Sequence, residues 1–415
     1  MTREKRKRLI YNIVTFGLVI AAFFVLQSMI EAKTITRSLK GQLVPICCWI
    51  VMAVSLNLVI GFSGELSLGH AGFMSVGAYT GAVVSGWLFH AFDVQDPTLR
   101  LVIAIAAGGL MAGITGVLIG IPVLRLRGDY LAIVTLAFGE IIRNLVNVLY
   151  IGVADGKLYL SFLTKDLPAG VTMLVDGAKG AVKIKPVSTF TAGFILILIT
   201  LVVVLNLVNS RAGRAIKACR DNRIAAESMG VNVTKYKMMA FVTAAVLAGM
   251  AGALYGLNSS TVVPTQFTFN QSINVLVFVV LGGLGNVLGS VISATLLTVL
   301  PEVLRAFSDY RMLAYAVVLI LVMIFTNNPT IRAFTNRIFA PFKKIARKPG
   351  RLAAENAPAL CGVAISAAAG AVAGSMSGIL PGILLGAAGG IVGIVLGSVL
   401  KGKNRKDEGE GQQHE

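Results

Sequence analysis

Long apolar runs alternate with short polar stretches along most of this chain. A run of about 20 apolar residues is what a helix needs to cross a bilayer. Such runs fall at about 9–30, 43–60, 69–91, 101–123, 129–150, 187–208, 237–258, 272–300 and 311–326, with weaker ones at 359–377 and 380–400. They are continuous rather than ten-residue segments of alternating polarity, so the pattern predicts helices and not a β-barrel. The expected fold is all-α, a polytopic transmembrane helical bundle. The 272–300 run is too long for one simple helix and is interrupted by "LGGLGNVLG" at 281–289. Gly282, Gly283, Gly285 and Gly289 can break it there into two half-helices, giving a re-entrant or broken segment.

Composition strengthens this reading. Of the 415 residues 56% are hydrophobic and 13% charged, and the mean hydropathy is +0.80. The net charge of +18 points to a cytoplasmic membrane face, where lysine and arginine collect, rather than to nucleic acid. The N-terminal "MTREKRKR" precedes an apolar stretch longer than a usual signal core, with no small-x-small cleavage site after it, so an uncleaved first helix with a cytoplasmic N-terminus is expected. Alternating the spans from there puts Arg125, Arg127 and the loop 209–237 inside. Strict alternation would leave the basic 327–357 stretch outside, and a 272–300 segment that turns back removes that conflict. Cys47, Cys48, Cys219 and Cys361 lack CxxC spacing and support neither a metal site nor a disulfide framework.

Three stretches carry candidate chemistry. "GFSGELSLGHAGF" at 61–73 puts Glu65, Ser67, His70 and glycines, Gly64 and Gly69 among them, at the edge of two apolar runs. Interrupted helices expose backbone groups that can face a polar ligand. Gly64, Glu65, Ser67, Gly69 and His70, with Gly282, Gly283 and Gly285, are therefore translocation-path candidates; tight helix packing explains the same residue types equally well. Glu140 and Arg143 stand i, i+3 within one span and can neutralise each other as an intramembrane ion pair. The third stretch, Arg214 to Met229, lacks Gly and Pro and predicts one short amphipathic helix stopped by Gly230. Such a helix is either a docking element or an interfacial helix on lipid headgroups.

Several long blocks, in order, resemble the permeases of ATP-driven branched-chain amino acid importers, LivM type. They are "GELSLGHAGFMSVGAYTGA" (64–82), "LRGDYLAIVTLAFGEIIR" (126–143), "GRAIKACRDNRIAAESMGVNVTKYKMMAFVTAAVLAGMAGALY" (213–255), "VLGGLGNVLGSVISATLLTVLPEVLR" (280–305) and "DYRMLAYAVVLILVM" (309–323). The resemblance implies a permease domain over 1–330 in a bacterial-type cytoplasmic (inner) membrane. It implies that "AAESMG" (225–230) couples to a motor, with Arg220, Ala225, Ala226, Glu227 and Gly230 as the coupling residues. It further implies a second permease subunit of LivH type, two cytoplasmic ATPase subunits and an extracytoplasmic substrate-binding protein. On this reading the chain is a transport subunit and not an enzyme: no cofactor is expected in it, ATP and Mg belong to the partners, and no G-x-x-x-x-G-K-[ST] pattern occurs. Glu65 departs from the glutamine the family commonly has, adding a charge beside the path. A related urea or amide importer, or an ion-coupled carrier, is the alternative.

Beyond the permease domain the sequence predicts a basic linker at 331–357, a Gly-zipper-like membrane hairpin at 358–400 and a disordered polar tail at 401–415. Gly370, Gly374, Gly378, Gly382, Gly386 and Gly390 recur every fourth residue, a spacing that lines one helix face.

Overall fold

In a computed structural model the chain divides into two units, 1–299 and 300–415. The residues described are 3–32, 37–126, 128–154, 156–162 and 171–303, plus isolated positions up to 320. The linker, hairpin and tail expected after 330, and most of the 311–326 span, lie outside them.

The elements are α1 (Arg3–Glu31), α2 (Arg37–Asn57), a π-helical turn (Leu58–Ser63), α3 (His70–Ala91), α4 (Pro97–Val123), α5 (Asp129–Asn147), α6 (Phe190–Asn209), α7 (Arg211–Asp221), α8 (Arg223–Ser228), α9 (Val233–Gly256), α10 (Phe269–Gly282) and α11 (Val287–Val303). Among the described residues, five helical stretches are long and apolar enough to cross a membrane: Lys40–Ser63, Pro97–Val123, Tyr130–Asn147, Phe190–Asn209 and Val233–Gly256. At 22 residues α3 has the length as well, and its Gly, Ser and His content explains its lower apolarity.

The bundle is organised around α2, α3 and α9. Small residues bring α3, α4 and α9 together: a Cβ on Gly77 would stand 2.0 Å from the Gly249 carbonyl oxygen, and one on Gly249 would stand 2.3 Å from the Ala112 Cβ. In a lipid environment that backbone approach replaces the hydrophobic drive available in water. α6 packs on α2, and α1 reaches α6 through Phe23, whose ring stacks on Phe190 and Phe194. The outward faces of α4, α5 and α6 carry exposed Leu110, Leu118, Ile133, Ile141, Ile195 and Val202, the apolar surface that a span presents to acyl chains.

The predicted break in 272–300 is present, with α10 ending at Gly282 and α11 starting at Val287. The two helices fold back on each other: a Cβ on Gly282 would touch the Gly289 backbone at 2.5 Å, and the Ser293 hydroxyl donates to the Phe278 carbonyl.

One region departs from the all-α expectation. Tyr150–Ala154 (β1), Lys157–Ser161 (β2) and Thr172–Asp176 (β3) form an antiparallel sheet in the order β2-β1-β3. Ala154 pairs with Lys157, and Gly156 between them has φ +75. The Asp-Gly dipeptide between apolar stretches is a strong local hairpin signal.

Candidate functional site

The stretch at 61–73 is a break in the backbone between two helices. α2 runs into the π-helical turn, which Gly64 closes in the left-handed conformation, φ +76, with its N–H donating to the Val59 carbonyl. Residues 64–69 are largely non-helical, and α3 starts at His70. Turns of this kind occur where a helix gives up regular hydrogen bonding to re-aim its chain, often at functional sites.

The second break, at Gly283 to Asn286, lies against the first. Asn57 joins them: its Oδ1 accepts from the Gly285 N–H at 2.8 Å, and its Nδ2 donates to the Ser290 hydroxyl at 2.9 Å. A Cβ on Gly61 would stand 2.3 Å from the Gly285 nitrogen. The structure thus brings together two glycine-rich segments more than 200 residues apart. Gly64 and Gly285 lie directly at the junction with Arg220, while Gly282 and Gly283 form the turn that places Gly285. Gly69 belongs to the other face of the break, where a Cβ would stand 2.0 Å from the Thr135 carbonyl oxygen of α5.

Charged groups clamp this junction. Arg220 on α7 donates from Nη1 to the Gly61 carbonyl, and its Cγ sits 2.8 Å from where a Cβ on Gly64 would be. Lys237 on α9 pairs with Glu65, each side chain only 13% exposed. Glu65, expected as an added charge beside a path, is instead neutralised by a lysine that the sequence assigns to the cytoplasmic loop.

His70 is buried, and its Nε2 lies 2.8 Å from the Ser55 hydroxyl. Ser55 gives its single proton to the Met52 carbonyl at 2.9 Å, so it accepts from an Nε2–H. His70 therefore locks α3 to α2 through a side chain. Ser67 fits a polar path better: its hydroxyl and that of Ser63 are buried without a hydrogen-bond partner among the described residues, a state that calls for water or a ligand. Glu140 and Arg143 form the predicted pair at 2.7 Å within α5. Glu140 also lines a hollow of about 10 Å³ with Leu68, Ala71, Phe267 and Ser272.

The loop after α6 differs in detail from the expectation. In place of one helix over 214–229 there are two, α7 and α8, because Asn222 adopts an extended conformation (φ −153, ψ 105) and caps α8 by accepting from the Ala225 N–H at 3.0 Å. An asparagine that can cap competes with helix continuation. α8 ends in a Schellman arrangement: the Gly230 N–H donates to Glu227 O, the Val231 N–H donates to Ala226 O, both at 3.0 Å, and Gly230 has φ +76. Val231 packs with buried Cys219, Ala226 and Val233. Burial pushes the Cys219 thiol above its ordinary pKa. The outer side carries Glu227, held by Arg223 at 2.9 Å, with exposed Ala225, Ile224 (77%) and Met229 (83%). Of the five predicted coupling residues, Ala225, Glu227 and Gly230 face outward, Ala226 faces the small core, and Arg220 reaches the membrane break.

Sequence reasoning missed Asn57, Ser55, Ser290, Thr135 and Lys237. Asn57 could have been found: an amide inside the apolar 43–60 run must have a partner there.

A family model described as "Branched-chain amino acid transport system / permease component" matches residues 39–326. The chain belongs to this family. It is similar to the high-affinity branched-chain amino acid transport system permease protein LivM of Salmonella typhimurium, 36% identical over 291 residues, which are 66% of this chain and 66% of that protein. The chain thus spans just under two thirds of that relative's length. It is also similar to the ribose import permease protein RbsC of Escherichia coli, 28% identical over 67% of this chain and 81% of that protein. The LivH permease of Salmonella typhimurium is 30% identical over 28% of this chain and 38% of its own length. No solved structure matches the chain. Membership of this permease family, together with the five apolar helices, makes the chain a multi-pass membrane protein of a transport system.

Proposed function

We propose that this permease-family member is the membrane-spanning subunit of an ATP-driven importer of leucine, isoleucine and valine, and that it forms the pathway with a second, similar permease subunit. Hydrolysis is assigned to two separate cytoplasmic ATPase subunits, and delivery to an extracytoplasmic binding protein, with the N-terminus and α7–α8 on the cytoplasmic side of an inner membrane. The observation that carries this reading is the bond from Arg220 on α7 to the Gly61 carbonyl. It ties an exposed two-helix element directly to the point where two interrupted membrane segments meet. A push on α8 by a motor is passed through a rigid, capped unit to the π-helical turn, Gly64 and Gly285. An equilibrium between two arrangements of that junction is what such a push can bias.

An ion-coupled carrier needs a titrating charge along its path. Here Glu65 is paired with Lys237, and Glu140 with Arg143, which leaves that alternative without its chemistry at these positions.

The test is reconstitution with the ATPase and binding-protein partners in vesicles. Replacing Glu227 by Ala, or Gly230 by Val, is expected to abolish leucine uptake at least tenfold while insertion persists and ATP hydrolysis continues. Uptake equal to wild type in both variants, or uptake with the ATPases omitted, overturns the reading.

A further inference from the structure

A second polar feature lies at the opposite end of α3. A cavity of about 30 Å³ opens where the last turns of α3 meet the first turn of α4, β3 and the segment 182–185. Its charged lining is cationic, with Arg100, Lys183 and Lys185 and the imidazole of His90 beside them, and no Asp or Glu lines it. Arg100 is 4% exposed, and its Nε is buried without a hydrogen-bond partner among the described residues. It takes part in none of the ion pairs found there. Its Cζ lies 5.1 Å from the centre of the Phe89 ring, and Lys185 Nζ lies 3.5 Å from the same centre. Lys183 holds φ +56, a conformation an L residue adopts only where its surroundings enforce it.

Two cations share one ring, and the buried Nε of one of them has no hydrogen-bond partner among the described residues, an arrangement that an anion would stabilise. The charge-based topology assigns this end to the extracytoplasmic side, where lysine and arginine are scarce, so ordinary membrane orientation does not account for the cluster. The cavity has room for a small polar group, and a carboxylate, which a guanidinium fork binds well, suits its cationic lining.

We propose that this cavity is an anion site that takes one carboxylate, held by Arg100 with Lys183 and Lys185, while the body of the ligand stays outside. The carboxylate belongs either to the transported small molecule or to an acidic side chain on a delivering protein, and the two sources are separable. The full chain in phosphatidylcholine nanodiscs is titrated with sodium acetate against sodium chloride at equal ionic strength, and the unfolding midpoint is read. A saturable rise with acetate alone is expected. Half-saturation should weaken about tenfold or more in the Lys183→Gln, Lys185→Gln double variant, and the rise should vanish in Arg100→Gln and partly return in Arg100→Lys. The two lysines are exposed, so the double variant keeps the test valid if Arg100→Gln does not fold. No acetate-specific rise in the wild type, or an undiminished one in the double variant, overturns the site. Leucine acting like acetate while leucinamide does not assigns the carboxylate to the transported molecule. N-acetyl-glutamic acid α-amide acting where leucine fails assigns it to a protein side chain. The readout needs neither ATP nor partners, so its failure leaves the transport reading standing.

Discussion

Gly64 meets two constraints at once: its φ of +76 belongs to the left-handed region, and Arg220 Cγ occupies the direction a side chain would take, at 2.8 Å. Alanine there would have to hold a conformation disfavoured for L residues and push Arg220 off the Gly61 carbonyl. Gly64→Ala should therefore destabilise the junction by about 1–3 kcal/mol, read as a lower unfolding midpoint in nanodiscs, whereas alanine at Gly41 inside α2, where a Cβ meets nothing within 4 Å, should not lower the midpoint. Cys219 allows a second measurement at this scale. Because burial holds its thiol above the ordinary pKa, the thiolate is scarcer at neutral pH than in a free cysteine. Maleimide labelling of Cys219 should be slow at pH 7 and keep rising above the pH at which an exposed cysteine levels off. Labelling as fast as that of free cysteine at pH 7 would contradict the buried position.

The α7–α8 unit is held by caps more than by length, since six residues of α8 are too few to persist alone. Asn222 starts α8, the Gly230 turn ends it, and Cys219, Ala226, Val231 and Val233 make its small core. Asn222→Ala removes the cap and is expected to cost about 1 kcal/mol. The element should then open more often, and maleimide labelling of Cys219 at fixed pH should accelerate several-fold; an unchanged rate would mean that the cap does not hold the unit. This element also marks where sequence reading stops. The apolar runs placed α2, α4, α5, α6 and α9 well, and the glycines announced the α10–α11 break, because bilayer thickness and backbone freedom act locally. The split at Asn222 was hidden because a single capping hydrogen bond outweighs weak helix propensity over a few residues. The sheet after α5 was hidden because its three five-residue strands are too short to stand out beside the long apolar runs. The pairing of Glu65 with Lys237 is 172 residues apart in sequence, and no local pattern encodes it.

Across the whole of the 1–299 unit, the two backbone breaks and the exposed α7–α8 unit form one connected linkage. Asn57 binds the breaks to each other, Arg220 binds them to α7, and the Glu65–Lys237 pair binds them to α9. A bond from a charged donor to a carbonyl is worth about 1.5–3 kcal/mol, enough to shift a two-state junction by a factor of ten or more. Arg220→Gln, too short to reach Gly61, should leave insertion and partner ATP hydrolysis intact but cut leucine uptake about tenfold, with Arg220→Lys falling between it and wild type. Gly64→Ala disturbs the same contact from the other side. If the linkage transmits the stroke, the double variant should lose little more uptake than Arg220→Gln alone, because the second change acts on a contact already broken. Two independent sites would instead give losses that multiply. Multiplying losses, or full uptake in Arg220→Gln, would show that force reaches the membrane by another route.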